Sequence, residues 1–278
     1  MARVKDLTQI EGALGNLSFY TRHDSNKIIV RGKGGASKTK ISNSPAFANL
    51  RKHNLEFGGV ANMCKNVRMT FSGLQTVADH NLTASLNKTM RSIQACDTNR
   101  PKGERSIMLS QYRQLLQNYE FCRQQPLSSM WRVPYVHTAL RDEQMATVQI
   151  PAFDSKLALN IKPRTGKVAA YTHFRLRASL GIATDMQLDA SGKRYETTHD
   201  TLGQGFCYRH TEWHTLYSKV PAYNFDMQLN DPTDPLPYVF HDTDSLILTL
   251  VLELGIANGE GEMEAIRNLG GGLIVAVF

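Results

Sequence analysis

A chain of 278 residues, 41% hydrophobic and 21% charged, can bury one large or two medium cores, and its composition is neither disordered nor fibrous. Four scattered cysteines, Cys64, Cys96, Cys122 and Cys207, form no C-x-x-C pair, which argues against a disulfide framework or a zinc site and predicts reduced, partly buried thiols. The net charge of +7 is unevenly shared, with 19 Lys and Arg against 8 Asp and Glu in residues 1 to 126, then 13 against 17 in residues 127 to 278.

Such asymmetry suits a basic half that binds nucleic acid, or opposed surfaces through which copies of the chain attract one another. The opening "MARVKDLTQIEG" lacks the apolar segment of a secretory signal, and no run approaches the roughly 18 apolar residues of a membrane helix. The expectation is a soluble protein made in the cytoplasm with no membrane span, with export by a route that needs no signal peptide left open.

In chain order, "LSFYTRHDSNKIIVRGK" predicts a hairpin around the turn formers His23, Asp24, Ser25 and Asn26. Two strands cannot bury their own apolar side chains, so Phe19, Tyr20, Ile28 and Val30 need a surface to pack on. Ser44 as N-cap and Pro45 at the first helical position start a helix over about residues 45 to 72. Its apolar spacing runs Phe47, Leu50, Phe57, Ala61, Cys64, Val67, Phe71 and Leu74. Gly58 and Gly59 lie in its middle, which predicts a bend or a close neighbour. Leu82, Leu86, Met90 and Ile93 form the stripe of a second helix, ended by "DTNRPKG", and "SQYRQLLQNY" reads as a third, shorter amphipathic piece.

After Pro126 the pattern is β. "YVHTALRDEQMATVQIP" predicts a hairpin around Asp142, Glu143 and Gln144, and "AAYTHFRLRASLGIATDMQL" a long strand. In "SLILTLVLELGI", Leu246, Leu248, Leu250, Leu252, Leu254 and Ile256 share one face while Ile247 and Val251 keep the other apolar, so both sides should be covered. The last segment, "GGGLIVAVF", is another strand. The expected fold is α+β: a basic N-terminal hairpin arm over residues 1–43, a helical segment over 44–126, and an antiparallel β-sandwich or open barrel over 127–278.

The segment "IIVRGKGGASKTK" resembles a phosphate-binding loop in outline, but Ser37 stands where G-x-x-x-x-G-K-[ST] needs its second glycine. The predicted helix start at Ser44 also falls too late to aim at an anion. In "CYRHTEWHTLY", a continuous strand would project His210, Glu212 and His214 from one side, the weak candidate for a metal site. "DPTDPLP" and "HDTDS" cluster carboxylates without the ligand spacing of an EF-hand loop, and turn formation accounts for them. No G-x-S-x-G elbow or catalytic cysteine signature occurs, so no catalytic residue and no cofactor is predicted.

The segment from Arg22 to Lys52 gathers Arg22, Lys27, Arg31, Lys33, Lys38, Lys40, Arg51 and Lys52 against the single acid Asp24. These suit phosphate backbones, with Phe19 and Tyr20 available for stacking on bases, or an acidic face of a neighbouring subunit.

"GALGNLSFYTRHDSNKIIVRGKGG" and "ISNSPAFANLRKHNLEFGG" carry Gly12, Leu14, Gly15, Asn16, Phe19, Tyr20, Arg31, Lys33, Gly34 and Gly35, then Asn43, Pro45, Ala46, Phe47, Asn54, Glu56, Phe57 and Gly58. In this pattern the chain resembles a family of proteins of unassigned activity from bacteria of the phylum Bacteroidota. The likeness is specific over residues 12–58, and beyond it only the order of helices and then strands is shared. It implies a domain layout and no activity or catalytic residue. The reading it sharpens is a non-enzymatic structural subunit whose partners are copies of itself, assembling into a filament, tube or array through Phe19, Tyr20, Ile28, Val30, Phe47 and Phe57 and the terminal strand residues Leu273, Val275 and Val277. The alternative is a nucleic-acid-associated protein of a phage or mobile element, binding phosphates through its basic half.

Overall fold

Short strand-forming runs build the sheet of the first unit, residues 1–51. The computed structural model describes residues 3–6, 9–22, 27–32, 34–161, 171–201, 205–229 and 238–278. Strands β1 (Arg3–Asp6), β2 (Gln9–Leu14), β3 (Leu17–Thr21) and β4 (Ile28–Gly32) pair in sequence order as an antiparallel sheet. The predicted hairpin is β3 with β4, and its expected turn, residues 23–26, lies outside the described residues. Strands β1 and β2 extend it. Gly15, with φ +54, makes the two-residue turn between β2 and β3, a backbone state that costs glycine nothing.

A short α1 (Lys38–Asn43), not foreseen, precedes the helix start expected at Ser44, and its first turn is capped by Ser37 Oγ, which accepts the N–H of Lys40 at 3.2 Å. Ser44 and Pro45 then open a 3-10 turn that leads into α2 (Ala48–Met69). Arg51 ties this corner together by donating to the carbonyls of Ile41 and Ser44 at 2.7 and 2.9 Å.

The second unit, residues 52–278, is layered. After α2 come α3 (Leu82–Ala95), β5 (Tyr119–Glu120), α4 (Leu127–Met130), the hairpin β6 (Val136–Leu140) and β7 (Met145–Ile150), then β8 (Phe153–Asp154) and α5 (Ser155–Ala158). There follow β9 (His173–Thr184), β10 (Met186–Leu188), β11 (Tyr195–Thr197), β12 (Phe206–His210), β13 (His214–Thr215), β14 (Lys219–Val220), β15 (Tyr223–Gln228), β16 (Asp244–Ala257) and β17 (Met263–Val277). The central antiparallel sheet runs β12-β9-β16-β17-β5, and a smaller sheet runs β15-β7-β6. Of the expected amphipathic piece at "SQYRQLLQNY", only a 3-10 turn over Arg113–Leu115 forms.

Alternation along β16 fixes the layers. Leu246, Leu248, Leu250, Leu252 and Leu254 join Phe174, Leu176 and Leu180 of β9 in a core closed by Val148, Ile150, Phe225 and Met227 of the smaller sheet. Ile247 and Val251 face the other way, into a core with Val60, Met63 and Val67 of α2 and Leu86, Met90 and Ile93 of α3. Helices, central sheet and second sheet thus stack as an α+β fold, with β16 covered on both sides up to Gly255 as its pattern predicts, while Ile256, expected on the same face, is exposed. The apolar stripe of α3 is also the one predicted.

Cys64, Val67, Phe71 and Leu74 of the predicted stripe are buried as expected, but the N-terminal part of the α2 face is rotated from the predicted one. Glu56, Gly59, Val60, Met63, Cys64 and Val67 point inward, while Leu50 and Phe57 are exposed. Two contacts turn it: Glu56 receives Arg105 Nε and Nη2 at 2.8 and 2.7 Å, and Gly59 lies under the ring of Tyr195. The close neighbour expected at the glycine pair is therefore found at Gly59, whereas a Cβ on Gly58 would meet nothing within 4 Å.

Candidate functional site

Cross-strand register decides which side chains of the first unit share a face. Leu14 lies opposite Leu17, Phe19 opposite Val30 and Thr21 opposite Ile28, so Leu14, Leu17, Phe19, Ile28 and Val30 form one apolar face. The other face carries Ser18, Tyr20, Ile29 and Arg31. Leu14, Leu17, Ile28 and Val30 are 63, 43, 38 and 52% exposed. Residues 11–51 contain no buried residue among those described. Three of the predicted contact residues, Phe19, Ile28 and Val30, are thus brought together, and Tyr20 projects from the opposite face. Phe47 is half-buried on the 3-10 turn, and Phe57 is exposed on α2.

The terminal strand is a correction. Leu273, Val275 and Val277 are buried, the first two in the core between the sheets and Val277 in the core beneath the helices, so their side chains are not at a contact surface, and β5 pairs with β17 only at Leu273 and Ile274. Of the basic residues, Arg22, Lys27, Arg31, Lys38, Lys40 and Lys52 are exposed, Arg51 is occupied by its two carbonyls, and Lys33 lies outside the described residues. The phosphate-loop outline fails in a different way from that expected: α1 does start at Lys38, but Ser37 itself fills the Lys40 N–H.

His210, Glu212 and His214 do not share a strand, since β12 ends at His210 and residues 211–213 leave the sheet before β13. His210 Nδ1 donates instead to the Thr211 carbonyl at 3.0 Å. His214 Nε2 donates to Tyr223 Oη at 2.8 Å, and Tyr223 donates to Glu212 Oε1 at 3.0 Å. Burial lowers the His214 pKa against the pull of Glu212, so the imidazole is held neutral, and burial together with Glu212 pushes Tyr223 up to about 12. This is a polar staple between a loop and β15. Among the described residues, no three His, Cys, Asp or Glu side chains gather to hold a metal ion.

A denser polar centre sits where β9 ends and β16 begins. Asp244, opposite Thr184 in the register, is fully buried and accepts from Thr184 Oγ1 at 2.5 Å, Tyr238 Oη at 3.0 Å and the backbone N–H of His241 at 2.9 Å. His199 Nε2 lies 2.8 Å from Tyr238 Oη and 3.3 Å from Asp244 Oδ1, and its Nδ1 lies 3.2 Å from the hydroxyls of both Thr198 and Thr243. The rings of His199 and His241 pack against each other at a tilt of 42°, with centroids 3.9 Å apart. One residue beyond Thr184, Asp185 is also buried, held by Ser110 N–H at 2.9 Å and Ser110 Oγ at 2.5 Å. Burial pushes its carboxyl up to about 6, with the charge of Asp244 adding and the Ser110 bonds opposing.

Two arginines close this centre. Arg141, in the turn between β6 and β7, donates from Nη2 to the carbonyls of His241, Asp242 and Asp244 and stacks over Phe240 at 4.6 Å. Arg113 stands on the 3-10 turn that follows Ser110, and burial lowers its pKa, with the charge of Arg141 adding and that of Asp185 opposing. Sequence reasoning touched this centre only through "HDTDS", read as a turn. Ser110, Arg113, Arg141, Asp185, His199 and Tyr238 come from five further segments and share no spacing that a sequence could display.

Compared with protein-family models, curated proteins and solved structures, the chain matches none. Among the described residues, no helix is long and apolar enough to cross a membrane.

Proposed function

We propose that the protein is a non-enzymatic structural subunit that assembles with copies of itself into a filament, tube or array through its N-terminal sheet. The observation that carries this reading is the uncovered apolar face of Leu14, Leu17, Phe19, Ile28 and Val30, on a unit in which no described side chain is buried. A sheet with an apolar face persists in water only when another layer covers it. Each such side chain gains roughly 1.5–3 kcal/mol when fully covered, so pairing two copies of this face is the natural source of the missing core.

Strands β1 and β4 are the edges of the sheet, and pairing at an edge is a second, different contact. A face contact and an edge contact used together do not close on themselves, which favours an open polymer over a dimer. The charge difference between the two halves of the chain supports contacts between unlike parts of neighbouring copies. The proposed kinship with the Bacteroidota family fits this reading, because most of the shared residues fall within the first unit.

Negative-stain electron microscopy with light scattering on the full-length protein tests it. Regular polymers free of nucleic acid are expected, and Ile28→Lys with Val30→Lys should leave a folded, dispersed subunit. A uniform monomer of the parent chain, or unchanged polymers in the double variant, would sink the proposal.

One observation favours the second reading, nucleic-acid binding: Tyr20 and Arg31 share the opposite face, and Arg22, Lys27, Lys38 and Lys40 are exposed in the same unit. It predicts binding that weakens steeply with salt and is lost when Lys33, Lys38 and Lys40 become Glu. Retained affinity in that triple variant removes it.

A further inference from the structure

Strand β6 is an edge of the smaller sheet and pairs with β7 alone. In an antiparallel pair every second residue turns its N–H and C=O away from the partner strand. Among the described residues, no backbone group outside the β6–β7 ladder meets residues 136–140. Edge strands are commonly blunted by lysine, proline or a bulge. Val136–Leu140 contains no lysine and no proline, and its register with β7 runs from Val136 opposite Gln149 to Leu140 opposite Met145 without a shift. The edge is therefore left open to a further strand.

The surroundings of this edge state what that strand must carry. Val136 and Leu140, on one face with Thr138, are 62 and 48% exposed. Val136 also borders an open cavity of 520 Å³ walled by Pro134, Tyr135, Ile150, Pro151 and Tyr223. Asp142 and Glu143 are exposed just past Leu140, and exposed Asp226 stands in the same cross-strand row as Thr138 and Thr147. Asp226 accepts only from the Asn224 amide, and among the described residues none of these three acids is in an ion pair. A matching partner brings an unpaired strand, apolar side chains and positive charge.

The first unit of another copy has all three. Residues 1–51 hold nine Lys and Arg against three Asp and Glu. Of the two edges of its sheet, β1 is interrupted by a register shift between Val4 and Asp6, whereas β4 pairs with β3 without one. Strand β4 spans five residues, as β6 does, and Ile28 and Val30 are exposed on one of its faces. Exposed Lys27 precedes it, and exposed Lys38 and Lys40 follow.

We infer that β4 of one copy adds to β6 of another, so that Ile28 and Val30 continue the exposed row of Val136, Thr138 and Leu140. The inference rests on the assembly reading and gives its edge contact a partner. Face pairing of the N-terminal sheets joins copies in twos, and addition of β4 to β6 joins the pairs into a polymer.

Light scattering on full-length Val136→Lys with Leu140→Lys tests it. Both side chains are exposed, so the urea unfolding of the second unit should be unchanged, while the lysines blunt the edge and repel the basic strand. The variant should stop at dimers under conditions in which the parent chain polymerises. A variant that falls to monomers also supports the strand addition and removes the face pairing. Unchanged polymers overturn this inference and leave the assembly reading standing, whereas a parent chain that is itself monomeric overturns both.

Amide hydrogen exchange locates the contact directly. The outward-facing amides of residues 136–140 should exchange about tenfold or more slowly in the parent polymer than in the dispersed Ile28→Lys with Val30→Lys subunit, with those of β7 unchanged. Equal rates in the two states overturn the proposal.

Discussion

Replacing Gly58 and Gly59 by alanine, one at a time, separates helix propensity from packing at neighbouring positions. Both lie inside α2, so each substitution gains roughly 0.8–1 kcal/mol of helix propensity. At Gly58 the new methyl meets nothing within 4 Å, and the full gain should appear. At Gly59 it would stand 2.5, 2.6 and 2.9 Å from three ring atoms of Tyr195. That ring is held in place, because Tyr195 Oη donates to the Arg105 carbonyl at 2.8 Å while Arg105 is itself bound to Glu56 of the same helix. Overpacking of this kind costs about 1–3 kcal/mol, and losing the tyrosine bond adds about 1 kcal/mol.

Gly59→Ala should therefore destabilise by roughly 1–3 kcal/mol net, leaving the two variants about 2–4 kcal/mol apart, or some 5 °C or more in Tm. Urea unfolding followed by the fluorescence of Trp131 and Trp213, both in the second unit, measures the difference. Equal effects at the two positions would refute the reasoning, because they would mean that Tyr195 moves aside at no cost.

Three further outcomes follow from the same physics. Glu253 is buried and receives Arg175, Arg177 and Thr76 at 2.6, 3.1 and 3.3 Å, so Glu253→Ala strands two guanidiniums and should cost roughly 3 kcal/mol in urea unfolding. A loss below about 1 kcal/mol would mean that the rings of Trp213 and Tyr208, which lie under the two guanidiniums, suffice to hold them. Asp185 binds its proton more tightly folded, at about 6, than unfolded, near 3.8, so it favours the fold below about pH 4 and this contribution is lost as pH rises through 6. Asp185→Asn should remove a pH-dependent loss on the order of 3 kcal/mol between those limits, and a variant with the parent's pH profile would contradict the assignment. Val30→Lys alone should weaken assembly measured by light scattering without changing the unfolding of the second unit.

The layers were legible where one periodicity ran long enough to be read. Alternation over β16 and the stripe Leu82, Leu86, Met90 and Ile93 each follow from the geometry of a single element, and the structure keeps both. The N-terminal part of the α2 face was not, because its rotation is set by Arg105 and Tyr195, residues distant in sequence that turn Glu56 and Gly59 inward. The terminal strand was misread as a contact surface because both of its faces are covered, by the smaller sheet and by the helices, which its own short apolar run does not reveal. Strands β1 and β2 went unread as short, mixed segments. In the candidate sites, Phe19, Ile28 and Val30 were found by composition, and register then added Leu14 and Leu17 to their face. The arginine centre could not be found, since a cluster drawn from six segments exists only after folding.

The place of β17 inside the central sheet also bears on how the protein is made. Val60, Met63 and Val67 of α2 share a core with Ile274 and Val277, roughly 200 residues later in the chain. At a synthesis rate of about 5–20 residues per second, the ribosome needs on the order of 10–40 s to travel from one to the other. During that interval the helices have no completed sheet to lie on, and the apolar face of β1–β4 has already emerged. Nascent chains on one message would thus present the sticky sheet to each other before either had a finished body. Spacing between ribosomes, or a holdase that shields early apolar segments, becomes a determinant of yield, and slower translation ahead of residue 263 should raise aggregation more than the same delay placed after it.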